Sequence, residues 1–62
     1  MRFCIKIVMD DNKEYRLEDL NEKETQENLA RAYNDILDLK EKIRFTDDLV
    51  VDALELNYFC IE

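Results

Sequence analysis

The chain of 62 residues contains no glycine, no proline and no histidine. Average usage would supply about four glycines and three prolines at this length. Tight turns must therefore be made by residues such as Asp and Asn, whose side chains bond nearby backbone and tolerate left-handed conformations. Without glycine there is no phosphate-cradling loop and no nucleophile elbow. Without histidine the commonest general base is missing. Hydrolytic and nucleotide chemistry thus have no visible machinery, and the expectation is a protein that is not an enzyme and carries no cofactor.

Cysteine is scarce as well. Two residues, Cys4 and Cys60, are too few for a disulfide scaffold or a structural zinc site. Both sit in a Phe-Cys-Ile context and would share one sheet face if the terminal strands are neighbours. With no Cys-x-x-Cys motif they read as small apolar thiols rather than a redox pair. Asp10, Asp11, Asn12 and Glu14 lack the glycine and the spaced ligands of a calcium loop, so no metal site is expected. There is no long apolar run either: Met1–Met9 is broken by Arg2 and Lys6, too short for a signal peptide or a membrane span. The expectation is a cytoplasmic protein with no membrane partner.

What is present is charge and periodicity. Hydrophobic residues make up 47% of the chain and charged ones 40%, which fits one small folded domain spanning 1–62 near the lower size limit for a self-sufficient core. The longest periodic stretch is 21–43, where Leu29, Ala32, Tyr33, Ile36, Leu37 and Ile43 recur at three- and four-residue spacing, the stripe of an α-helix. Glu24, Glu27, Arg31, Asp35, Asp38 and Lys42 fall on its far side, with Glu27–Arg31 and Asp38–Lys42 at salt-bridge spacing. Two start signals compete, Asp19 with Glu22 and Asn21 with Glu24, since both match a capping box. Acidic residues near that start complement the helix dipole.

Ahead of the helix, residues 2–9 alternate, placing Phe3, Ile5, Ile7 and Met9 on a face expected to meet it. Asp10–Lys13 reads as a turn, and Glu14–Leu17 as a return strand with Tyr15 and Leu17 inward. Behind it, Ile43–Phe45, a turn at Thr46–Asp48, Leu49–Val51 and a last strand Leu56–Ile61 make the favoured reading, carried by Val50-Val51 and the aromatic run. The rival makes 48–56 a short second helix capped by Thr46, because the Asp47-Asp48 turn lacks Gly or Asn. The expected fold is α+β: a β-hairpin, a long helix, then one or two strands (ββαββ, with ββααβ as the alternative), the helix covering one face of a small antiparallel sheet. The open face would show Cys4, Lys6, Val8, Arg16, Leu56, Tyr58 and Cys60.

The net charge is −7. Residues 1–45 hold eleven acidic and nine basic residues, or −2, and residues 46–62 hold five acidic and none basic, or −5. That balance excludes direct nucleic-acid binding, which needs clustered Lys and Arg. It points to a basic protein partner, with Asp47, Asp48, Asp52, Glu55, Tyr58 and Glu62 as candidate contact residues. A second class of reading is a structural or assembly protein that self-associates, as a homodimer for example, through the open sheet face.

In its short chain from Met1 to Glu62, its basic-free run from Asp47 onward and its minimal fold, the sequence resembles the small acidic inhibitor proteins of phages and mobile elements, anti-CRISPR proteins and DNA mimics among them. The resemblance implies an inhibitor that occupies the nucleic-acid-binding surface of a basic effector, in the host cytoplasm. Arg31, Lys40, Lys42 and Arg44 depart from a pure phosphate mimic and break any continuous acidic helix face.

Overall fold

A computed structural model describes residues 1–62. The order is β1 (Phe3–Met9), β2 (Glu14–Leu20), α1 (Glu22–Leu37), β3 (Lys42–Arg44), β4 (Val50–Asp52), a single 3₁₀ turn (Ala53–Glu55) and β5 (Leu56–Ile61). It is the α+β arrangement read from the sequence, with β5 at the expected bounds and no second α-helix. The strands form two antiparallel sheets, one in the order β2-β1-β5 and the other β3-β4. The first strand is therefore the central one.

Three turns replace the missing glycines. Asn12 takes a left-handed conformation (φ 69°) between β1 and β2, where the Asp11 carboxylate accepts the Lys13 N–H at 2.9 Å. At the β3–β4 connection the Thr46 hydroxyl accepts the N–H groups of Asp48 and Leu49, at 3.2 and 2.9 Å. These side-chain bonds do the work of the glycine or asparagine that a tight hairpin needs, so the strand reading holds without either. The third turn ends α1 and is tighter. Lys40 N–H bonds Asp35 C=O and Leu39 N–H bonds Ile36 C=O, the paired bonds of a Schellman cap with Leu39 in its left-handed position (φ 56°).

That cap corrects the length of the helix, which stops at Leu37 rather than running to Ile43. Ile43 belongs to β3, where it is fully buried, and Lys42 beside it is likewise a strand residue. At the other end Asn21 is the cap: its side chain accepts Glu24 N–H at 2.8 Å while Glu24 accepts Asn21 N–H at 3.0 Å. Asp19 stands outside, in a left-handed conformation.

The core gathers Ile5, Ile7 and Met9 from β1, Ala32 from α1, Ile43 and Phe45 from β3 and just beyond it, and Val51 from β4. Tyr15, Leu17, Leu29 and Phe59 pack around it. Phe59 joins the layers, its ring 5.0 Å from Phe45 in an edge-to-face contact and 5.2 Å from Tyr33. One residue of the expected outer helix face is inside. Asp35 is 1% exposed and accepts three hydrogen bonds from Arg44, from its backbone N–H, Nε and a terminal guanidinium nitrogen, at 3.0, 2.9 and 2.9 Å. The expected same-helix partners are also replaced, since Arg31 pairs with Asp47 at 3.3 Å and Lys42 pairs with Asp52. Folding supplies partners that spacing along one helix cannot show.

Candidate functional site

Two neighbouring surface features stand out. The first is an acidic end built from three stretches distant in sequence, the last of them spanning the end of β4 and the 3₁₀ turn. The β1–β2 turn brings Asp10 and Asp11, the α1–β3 loop brings Glu41, β4 ends on Asp52, and the 3₁₀ turn carries Glu55. A hydrogen bond of 2.8 Å from Asp10 N–H to the Glu55 carbonyl ties the first of these to the last. Asp10, Asp11, Lys13 and Tyr15 flank a shallow depression on one side of Glu55, and Glu41, Lys42 and Asp52 flank another on its other side. Five carboxylates thus share this end with two lysines. Asp52 beside it, then Glu55 and Glu41, hold the Lys42 ammonium above its ordinary range.

The second feature is an open groove of about 550 Å³ between the C-terminal half of α1, the 3₁₀ turn and the outer edge of β5. Nine of its eleven lining residues are hydrophobic, and Lys40 is the only charged one. Much of the lining is solvent-facing: Leu54 is 94% exposed, Leu39 89%, Tyr33 54% and Ile36 38%. Exposed apolar residues scattered singly are normal; here several share one concave surface. Leu39, at the helix cap, is also strained. A bulky side chain in a left-handed conformation costs about 1 to 2 kcal/mol, and here that cost is met at an exposed position where burial returns almost nothing. Leu54 lies between the two features and borders both. The two lining residues that are not hydrophobic are Lys40 and Asn57. No group of three or more Cys, Asp or Glu is placed to hold a metal ion.

The six sequence-derived contact residues do not form one patch. Asp52 and Glu55 meet at the acidic end, together with Asp10, Asp11 and Glu41. Asp47 and Asp48 occupy the β3–β4 turn, where Asp47 pairs with Arg31 at 3.3 Å. Tyr58 sits on β5 opposite Val8 and reaches the rim of the groove. Glu62 lies across the outer sheet face, where Arg16 holds it at 2.7 Å and Lys6 at 3.2 Å. Those two cations pull the Glu62 carboxyl below its usual range, and Glu62 in turn raises Lys6. Asp10, Asp11 and Glu41 were missed because a linear count of charge does not see that a turn and a loop converge on residue 55.

The outer sheet face also differs from expectation. Cys4, Lys6 and Val8 lie on it with Arg16 and Cys60, as the alternation of β1 and its registers with β2 and β5 requires. Leu56 does not. A bulge between Val8 and Met9 pairs Leu56 with Met9 and turns its side chain to the core. Val8 is nearly buried, and Arg16 draws Glu14, Glu18 and Glu62 around it at 2.9, 3.3 and 2.7 Å. That face is a web of ion pairs more than an apolar surface. Both cysteines are half-buried free thiols.

No helix is long and apolar enough to cross a membrane. The chain matches no protein-family model, no curated protein and no solved structure.

Proposed function

We propose that this protein is a non-enzymatic binding module that docks its acidic end on a basic protein surface, and that it acts as an inhibitor by occupying the nucleic-acid-binding surface of its target. The observation that carries the reading is Leu54, a leucine 94% exposed and set among Glu41, Asp52, Glu55 and Lys42, the last paired with Asp52. An apolar anchor with a net acidic surround matches a basic surface with an apolar pocket at its centre, charge giving speed and orientation of encounter and the leucine giving residence. The net charge of −7 supports the same direction of attraction. The outer sheet face, the other candidate surface for association, has its charges already paired around Arg16 and offers a mate little apolar area.

The test is capture of binding proteins from a bacterial lysate on immobilised protein, followed by competition on each captured protein with duplex DNA and with RNA. Mutual exclusion, release by about 0.5 M salt, where exposed charge pairs are strongly screened, and loss of capture in the Glu41→Lys/Glu55→Lys variant support the reading. Simultaneous binding of nucleic acid and this protein refutes mimicry. Undiminished capture by the charge-reversed variant refutes the acidic docking surface itself.

A further inference from the structure

The three-stranded sheet has two free edges, and they are protected very differently. β2 presents Glu14, Arg16, Glu18 and Asp19 and carries a register shift, the charges and bulge that discourage strand addition. β3 and β4, the edges of the small sheet, are three residues long. β5 has a register shift only at its start, next to Leu56, and no charge along its length. Its six residues, Leu-Asn-Tyr-Phe-Cys-Ile, are uncharged.

Its hydrogen bonding is half used. Glu62 N–H bonds Cys4 C=O at 2.8 Å, and in the antiparallel register Cys60 and Tyr58 lie opposite Lys6 and Val8. Bonding alternates along such a pair, so residues 58, 60 and 62 turn their backbone groups toward β1. Phe59 and Ile61 turn theirs outward, over the groove, where no other segment of the chain bonds them.

We propose that a second copy of this chain occupies the groove, its β5 pairing antiparallel with the first about a two-fold axis to join the two sheets into one of six strands. A free edge of this kind is self-complementary under a two-fold rotation, because each outward N–H and C=O on one copy meets its counterpart on the other. The area suffices. At roughly 200 Å² for a large apolar residue, the exposed parts of Tyr33, Ile36, Leu39, Leu54 and Tyr58 offer about 600 Å² per copy. Two copies reach about 1,200 Å², the lower bound of specific interfaces.

Charge permits the pairing as well. The acidic end lies at the start of β5, so antiparallel strands carry the two acidic ends to opposite ends of the pair, about 20 Å apart for six residues. Glu62, at the other end, is neutralised by Arg16 and Lys6 of its own copy. The dimer leaves the carboxylates of both acidic ends free but covers Leu54, so pairing competes with docking through that leucine.

The experiment is sedimentation equilibrium over about 1 μM to 1 mM, with amide hydrogen exchange on the same wild-type samples. The expected mass rises from 7.5 kDa toward twice that value with concentration. Ile61→Lys and Ile36→Lys, both folded by circular dichroism, should raise the dissociation constant at least tenfold, while Val50→Lys, an exposed apolar site on β4, should not. At high concentration the Phe59 and Ile61 amides should become protected to the level of Tyr58 and Cys60, and on dilution they should lose that protection. A monomer across the whole range overturns the proposal. So does a dimer in which Phe59 and Ile61 exchange as freely as on dilution, since another surface would then hold it together.

Discussion

Phe45 is fully buried just beyond β3, and its ring meets Phe59 of β5 edge-to-face at 5.0 Å. This contact connects the two sheets, which share no backbone ladder. A domain of 62 residues has about 3 to 9 kcal/mol of stability at 0.05 to 0.15 kcal/mol per residue. Phe45→Ala, at about 3 to 5 kcal/mol for a buried phenylalanine, would remove much or all of it. The informative variant is therefore Phe45→Leu, which keeps most of the volume and loses the ring, at a cost of about 1.5 kcal/mol. Phe59→Leu should cost a similar amount. Because each single variant already abolishes the ring–ring contact, the double variant should be less damaged than the sum by about 0.5 to 1.5 kcal/mol. Urea unfolding followed by far-ultraviolet circular dichroism reads this directly, since a slope near 1 kcal/mol/M turns each single loss into a midpoint shift of about 1.5 M. Additivity within about 0.3 kcal/mol would show that the rings do not touch. An unchanged midpoint for Phe45→Leu would refute the placement of Phe45 in the core.

Leu39→Gly should stabilise the fold by about 0.5 to 1 kcal/mol in the same assay, because glycine accepts the left-handed cap position while an 89% exposed leucine gives up almost no burial; if the groove is the interface, the same change weakens self-association. Asn21→Ala should cost about 1 kcal/mol, a fall of about 4 to 8 °C in melting temperature, whereas Glu22→Gln, which leaves the capping box intact, should cost a few tenths. Acid should destabilise the protein through Asp35. Hydrogen bonds from the Arg44 side chain and backbone hold its carboxyl at about 2 against the usual 3.8, so the folded state binds fewer protons in this range. Its contribution is complete above pH 4 and is lost as pH falls from about 4 toward 2. Asp35→Asn should flatten that limb of the stability–pH profile relative to wild type, and an unaltered profile would mean that Asp35 is not ion-paired.

Sequence alone indicated most of the elements, though β2 runs on to Leu20 and the helix stops at Leu37. Alternation set β1 and β2, the run from Leu56 to Ile61 set β5, and the Asn21–Glu24 spacing was one of two start signals for the helix; these patterns act over two to four residues, a distance at which spacing and geometry are nearly the same thing. It also determined the acidity, because net charge is a sum that folding does not change. Tertiary structure decided what lies between elements. Ile43 continues the helical period but is a strand residue, since the left-handed turn at Leu39 resets the chain direction without a glycine to announce it. Asp35 sits on the polar side of the helix period yet is buried, because Arg44, nine residues on, arrives to receive it. The bulge at Val8/Met9 moved Leu56 from one sheet face to the other, as a one-residue slip must. The acidic end and the groove belong wholly to this second level: they exist where a turn, a loop, a 3₁₀ turn and a strand edge converge, and contact between residues 10 and 55 is a property of the fold that no local pattern encodes.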